Sequence, residues 1–210
     1  MKYEHKGWNW ENINKETWNT VSAEFLSIAL QWAAKYKTTL DLGAGLGRHS
    51  ILLDELGMKV TAADISKSSI DIINSYNKNI ETHACDMTNL PFEDQAFDCV
   101  VCFHAIYHTT LEGIKETLNE IYRVLTAGGQ AYITFNTREF WNSPYKESTF
   151  TQLKSEGDQE NIPHTYLGEE TLAEMIEEIG FKTITIQKIF NYFRNGRASK
   201  GCHFYVLLKK

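Results

Sequence analysis

The chain has 210 residues, enough for one domain with a sizeable core. With 42% hydrophobic and 23% charged residues it reads as ordinary globular material, and no run approaches the roughly 20 apolar residues of a membrane span. A net charge of −6 argues against a chain built mainly to grip nucleic acid. The polar start from Met1 to Lys6 is no signal peptide, so a cytoplasmic protein without membrane attachment is expected.

The first element in chain order is an amphipathic helix over 15–35, with Trp18, Val21, Phe25, Ile28, Ala29 and Trp32 at helical spacing. A short strand follows at 38–42 and ends in Leu40-Asp41-Leu42. Then come Gly43-Ala44-Gly45-Leu46-Gly47 and a helix over 46–56 closed by Gly57. Glycines at alternate positions let the backbone turn tightly and approach a ligand that a Cβ would hold off. The free N–H groups of the helix start point the same way.

A second strand from Met58 to Ala63 leads to Asp64, and a helix with Ser66 as N-cap runs to Tyr76. A third strand, Ile80 to Cys85, ends at Asp86. A fourth spans 97–103, and a helix follows from Leu111 to Leu125. Ala127-Gly128-Gly129 then turns the chain into a fifth strand, Gln130 to Asn136. Strands alternating with helices give an α/β, three-layer Rossmann-like sandwich around a parallel sheet. After a helix at 170–179, two last strands at 181–193 and 202–208 are joined too closely for a parallel crossover, so they form an antiparallel hairpin. No repeat or linker divides the chain, which reads as a single domain over 1–210.

Spacing decides the kind of nucleotide pocket. A dinucleotide fingerprint needs its third glycine where this chain has Arg48. Gly-x-Gly-x-Gly behind Asp41 resembles instead motif I of the class I S-adenosylmethionine-dependent methyltransferases. The run Glu120-Ile121-Tyr122-Arg123-Val124-Leu125-Thr126-Ala127-Gly128-Gly129 also resembles that family, and the matched motifs span 38–136. The resemblance implies a seven-stranded sheet in the order 3-2-1-4-5-7-6, with strand 7 antiparallel. It also implies S-adenosyl-L-methionine as cofactor, met by Asp41, Gly43, Ala44 and Gly45.

Asp64 stands 21 residues beyond Gly43, close to the ~20-residue offset at which an acid meets ribose hydroxyls. In the family the acid at Asp86 accepts from the adenine amino group. Ile65 and Met87 would sandwich the ring, an apolar slot for a flat group. The fourth strand should deliver Phe103 and His104 beneath the sulfonium.

Methyl transfer to an alcohol, phenol or thiol needs a base, and histidine is the side chain that titrates near neutrality. His108, His104 and His164 are the candidates. The expected activity is methylation of an O, N or S atom of a small molecule, and the alternative is a silent cofactor-binding module acting through a protein partner. Neither Asn/Asp-Pro-Pro-Tyr/Phe nor a cysteine-nucleophile motif follows the fourth strand. Residues 137–168 are expected to form a substrate lid containing Phe140-Trp141 and Pro163-His164. Residues 1–35 form an aromatic cap with Tyr3, Trp8, Trp10 and Trp18.

Cys99-x-x-Cys102 with His104 and His108 nearby has the outline of a zinc site. On a strand, however, a period of two sends residues 99 and 102 to opposite faces, and no metal is expected. Charge is uneven towards the end: residues 147–178 hold nine acids and one base, Lys154, whereas 188–210 hold six Lys/Arg and no acid. That is read as solvated surface.

Overall fold

The computed structural model describes residues 8, 20–76, 79–137, 149–153, 162–194 and 197–210, with the side chains of 191–200 outside the description. The predicted features at Tyr3, Trp10, Trp18 and 140–145 lie outside the described residues.

Helix α1 (Ala23–Ala33) is the described part of the first predicted helix. Ser22 caps it, its hydroxyl accepting from the Phe25 N–H at 3.2 Å. Phe25, Ala29 and Trp32 are its buried face, as the spacing predicted. The Trp32 indole donates to Gln130 Oε1 at 2.8 Å, which satisfies the one polar atom that burial would strand.

Strand β1 (Thr38–Leu42) leads into α2 (Arg48–Glu55), then β2 (Lys59–Asp64), α3 (Lys67–Tyr76) and β3 (Glu81–Ala84). Strand β4 (Phe97–Cys102), α4 (Leu111–Val124) and β5 (Leu125–Thr137) follow. The last elements are β6 (Phe150–Leu153), β7 (Pro163–Tyr166), α5 (Glu169–Ile179), β8 (Lys182–Arg194) and β9 (Arg197–Lys209).

The main sheet runs β3-β2-β1-β4-β5-β9-β8, with β9 antiparallel to both neighbours. That is the seven-stranded order expected, with the terminal hairpin in place. Helices cover both faces. Ile114, Leu118 and Ile121 of α4 and Leu172 and Met175 of α5 fill one core. Phe25, Ala29 and Trp32 of α1, Leu53 of α2 and Ile73 of α3 fill the other. Strand β4 feeds both layers, Val100 and Cys102 into one and Cys99 and Val101 into the other. The two cysteines therefore point to opposite faces, and among the described residues no group of His, Cys, Asp and Glu could hold a metal ion. No helix among those residues is long and apolar enough to cross a membrane.

The structure departs from the sequence reading in two places. The glycine pair does not precede the fifth strand but bulges inside it. Phe97 pairs with Leu125 and Cys99 with Gln130, so Thr126–Gly129 loop out of register, with Gly128 at φ +82°. The predicted lid, read as a loop, contains the β6–β7 hairpin. This hairpin is fastened to β5 by the pair Asn136–Tyr166, on the edge that β4 vacates after Cys102.

The Glu120–Gly129 run has a structural task. Arg123 bonds Glu120, Asp94 and the carbonyls of Leu90 and Phe92, while Glu120 accepts from the Leu90 N–H at 2.7 Å. These bonds pin the loop that follows Asp86.

Candidate functional site

The carboxyl ends of β1, β2, β3 and β4 meet at one cavity. At its base the Gly43 and Ala44 N–H groups donate to the Ala63 carbonyl at 2.7 and 3.1 Å, folding the glycine loop back onto β2. Gly43 has φ +72°, and a Cβ there would collide with the Ala105 Cβ on the loop after β4. The loop is thus a cradle whose depth depends on hydrogen at this position.

Asp64 fastens the same loop. Its carboxylate accepts from the Gly45 N–H at 2.9 Å and the Ser66 N–H at 2.8 Å. Burial pushes its carboxyl above the ordinary range, against the pull of those two donors. Two carboxylate oxygens offer about four acceptor positions, so capacity remains for a ligand's hydroxyls. Ile65 follows it in the cavity wall, and Asp86 and Met87 line the facing wall. Asp86 Oδ1 accepts from both the N–H and the hydroxyl of Thr88, at 2.9 Å each, which holds the carboxylate in a tight turn.

Asp41 lies behind this wall and not in it. It is buried, and its Oδ2 accepts from Ser50 Oγ at 2.6 Å. Burial pushes its carboxyl up to about 6, with the Ser50 bonds pulling the other way. Of the residues named from sequence for the cofactor, Gly43, Ala44, Gly45, Asp64, Ile65, Asp86, Met87 and Phe103 all line the cavity. Asp41 is the one that does not.

The other end of the cavity is aromatic. Phe103 packs against His49, ring centres 4.8 Å apart, and the Arg48 guanidinium lies 5.4 Å over its face. His49 is wedged on its other side by Phe25, and its Nε2 has no hydrogen-bond partner among the described residues. Burial, with the Arg48 charge in second place, holds its imidazole well below the ordinary value, so it is neutral at pH 7.

His104 and His108 line the cavity, while His164 stands behind His108 with ring centres 4.5 Å apart. All three candidate bases thus meet at one edge, although His164 comes from β7. His164 Nδ1 lies 3.1 Å from the Ile162 carbonyl, which can only accept, so Nδ1 carries the proton.

Two participants escaped the sequence reading. Tyr107 sits among the imidazoles, its hydroxyl 3.1 Å from His104 Nδ1. His203 stands 4.5 Å from His104, brought there by the register that pairs it with Asn136. Tyr107 was within reach of inspection, three residues after His104. His203 was not, since only the strand register delivers it. Trp8 closes the cavity from above. Its carbonyl accepts from Ser66 Oγ at 2.7 Å, and its ring meets His108 edge-on at 5.2 Å.

Residues 40–133 match the methyltransferase domain family. That stretch is under half of the chain, and the sheet order around it is the one the resemblance implies. An uncharacterized methyltransferase-like protein of Schizosaccharomyces pombe is 29% identical over 101 residues, covering 48% of this chain and 38% of that one. The probable tRNA methyltransferase 9B of Mus musculus is 32% identical over 94 residues, 44% of this chain and 20% of its own length. This chain therefore spans well under half of either relative.

Among solved structures, the 1,6-didemethyltoxoflavin-N1-methyltransferase of Burkholderia thailandensis superposes with a TM-score of 0.70 at 18% identity. The match covers 90% of this chain and 77% of that one, which was solved with 1,6-didemethyltoxoflavin and S-adenosylhomocysteine bound. The methyltransferase domain and that protein share a fold.

Proposed function

We propose that this protein transfers a methyl group from S-adenosylmethionine to an O, N or S atom of a small molecule. The observation that carries the reading is the cavity itself. Its cofactor end is a glycine cradle with two acids near the strand ends, and its far end is an aromatic wall of Phe103, His104, His108 and Trp8. Such a wall suits a compact acceptor better than a polynucleotide, and the net charge of −6 supports the same choice over a tRNA substrate.

The residues fit the cofactor. Asp64 is the acceptor for the ribose hydroxyls, Asp86 for the adenine amino group, and Ile65 and Met87 hold the ring between them. The glycine loop admits the amino-acid end where a Cβ would block it. Asp41, one layer behind and bonded to Ser50 of α2, compensates the ammonium charge from beneath the glycine loop. When bound, the cofactor supplies a methyl already activated by a positive sulfur.

The chain's own work is then positioning and exclusion of water, which are worth several kcal/mol. Phe103 and Trp8 shut out solvent, and the β6–β7 hairpin belongs to the lid over the acceptor. His104, His108 and His164 stand where an acceptor's proton would be taken.

Calorimetry with S-adenosylhomocysteine tests the first half, with micromolar binding expected, about −8 kcal/mol, and no competition from NAD. A methyl-release screen over phenols, thiols, amines and oxyanions tests the second. Binding without release to any acceptor would replace the enzyme by a silent cofactor-binding module.

A further inference from the structure

We propose that Tyr107 sets the tautomer of His104, making His104 the general base and the acceptor a weakly acidic O–H or S–H group. This rests on the methyl-transfer reading above and narrows it.

His104 is one of two non-glycine residues with a left-handed backbone among those described, at φ +55°. A side chain held there costs about 1–2 kcal/mol, and such outliers gather where function over-determines the backbone. The determining contact is visible: the His104 N–H donates to Thr134 Oγ1 at 2.6 Å, which swings the residue off the end of β4 and into the cavity wall. The second observation is independent. Tyr107, itself buried, lies with its hydroxyl 3.1 Å from Nδ1 of that same ring.

A tyrosine hydroxyl both donates and accepts. When Nδ1 carries the proton and the phenol oxygen accepts it, the lone pair sits on Nε2. A third group that orients the base recurs where an imidazole serves in general-base catalysis. In the transfer, the acceptor's O–H or S–H proton passes to Nε2 and its electron pair forms the bond to the methyl carbon. The pair of the broken carbon–sulfur bond stays on sulfur, discharging the sulfonium. The imidazolium keeps its Nδ1–H on Tyr107. Phenols and thiols titrate within a few pKa units of imidazole, which is the range where such a base is effective.

Other titratable groups surround the ring. His203 and Tyr205 of β9 pack against it at 4.5 and 6.2 Å between ring centres, and His108 follows on its own loop. His164 of β7 stands behind His108, and Arg48, His49, Asp64 and Asp86 share the cavity wall.

The decisive measurement needs no substrate. Long-range proton–nitrogen correlation spectra of the 15N-labelled protein, with S-adenosylhomocysteine bound, report which nitrogen of each imidazole is protonated. His104→Asn assigns the signal, since asparagine tolerates the left-handed backbone. The expected result is an Nδ1–H tautomer for His104 that reverts to Nε2–H in Tyr107→Phe. An Nε2–H tautomer in the parent protein overturns the proposal.

Turnover with phenol and with 2-mercaptoethanol as the two probe acceptors supplies the second arm. Tyr107→Phe should lower kcat about tenfold, with KM and S-adenosylhomocysteine affinity unchanged and the acid limb of the pH–rate profile displaced. A loss of cofactor affinity, or an unmoved profile, would make Tyr107 a packing residue and overturn the assignment. If the parent protein does not bind S-adenosylhomocysteine, the underlying methyl-transfer reading is what fails.

Discussion

Asp64→Ala is expected to weaken S-adenosylhomocysteine binding roughly ten- to a hundredfold, about 1.5–3 kcal/mol, and to lower thermal stability as well. The two losses have different origins. Affinity goes with the acceptor proposed for the ribose hydroxyls. Stability goes because the Gly45 and Ser66 N–H groups, now bonded to this carboxylate, lose their partner inside the protein. From position alone a strand-end residue would be dispensable to the fold, but at 8% exposure it is not. Asp64→Asn keeps a single acceptor oxygen and should fall between parent and alanine in both assays. Titration calorimetry beside thermal melts checks this, and a folded alanine variant with parental affinity would move the ribose elsewhere.

Asp41→Asn should move stability the other way. Burial raises the Asp41 carboxyl from 3.8 to about 6, so the folded protein holds its proton more tightly than the unfolded chain does. The stability this gives is complete below pH ~4 and is lost as the pH climbs through about 6, some 3 kcal/mol at 1.36 kcal/mol per unit. An asparagine keeps an oxygen for the Ser50 hydroxyl and never ionises. The variant should match the parent at pH 4 and melt several degrees higher at pH 7. Its cofactor affinity should drop, because the charge behind the glycine loop is gone. Melts at the two pH values decide it, and curves that stay parallel would mean that Asp41 ionises in the fold as easily as outside it.

What the sequence disclosed was local. Glycine turns, strand-end acids and helical stripes are each written in a few consecutive residues, so β1 to β4 and the cavity wall of Gly43, Asp64 and Asp86 could be read directly. Features made by distant segments meeting could not. The β6–β7 hairpin has four residues per strand, one beginning with Pro163, and joins the sheet through a single pair. Its pattern is too short to separate from loop. The β5 bulge exists because Cys99 takes Gln130 as partner, and no glycine count reveals a register. His203 reaches the imidazole cluster by the same kind of pairing. Asp41 illustrates the limit from the other side: motif position marked it as important, whereas its partner Ser50 becomes visible only when α2 is packed on β1.

The placement of the cysteines turns this fold into its own stopwatch. Cys99 and Cys102 are sealed in opposite layers and Cys202 is buried too, whereas Cys85 is only partly buried, just past the end of β3 and beside Asp86. Burial raises all three of the thiols at 85, 99 and 102, least for Cys85, which is pushed up to about 11. An alkylating reagent at mild alkaline pH should therefore mark Cys85 on the timescale of motion around the Asp86 side of the cavity. The thiols of β4 should be marked only when the whole sheet opens. Adding S-adenosylhomocysteine should slow the first rate through direct cover and the second through mass action, and the ratio of the two slowings separates local protection from global stabilisation. Equal labelling rates for Cys85 and Cys99 would show that the sheet edge and the sheet centre open together.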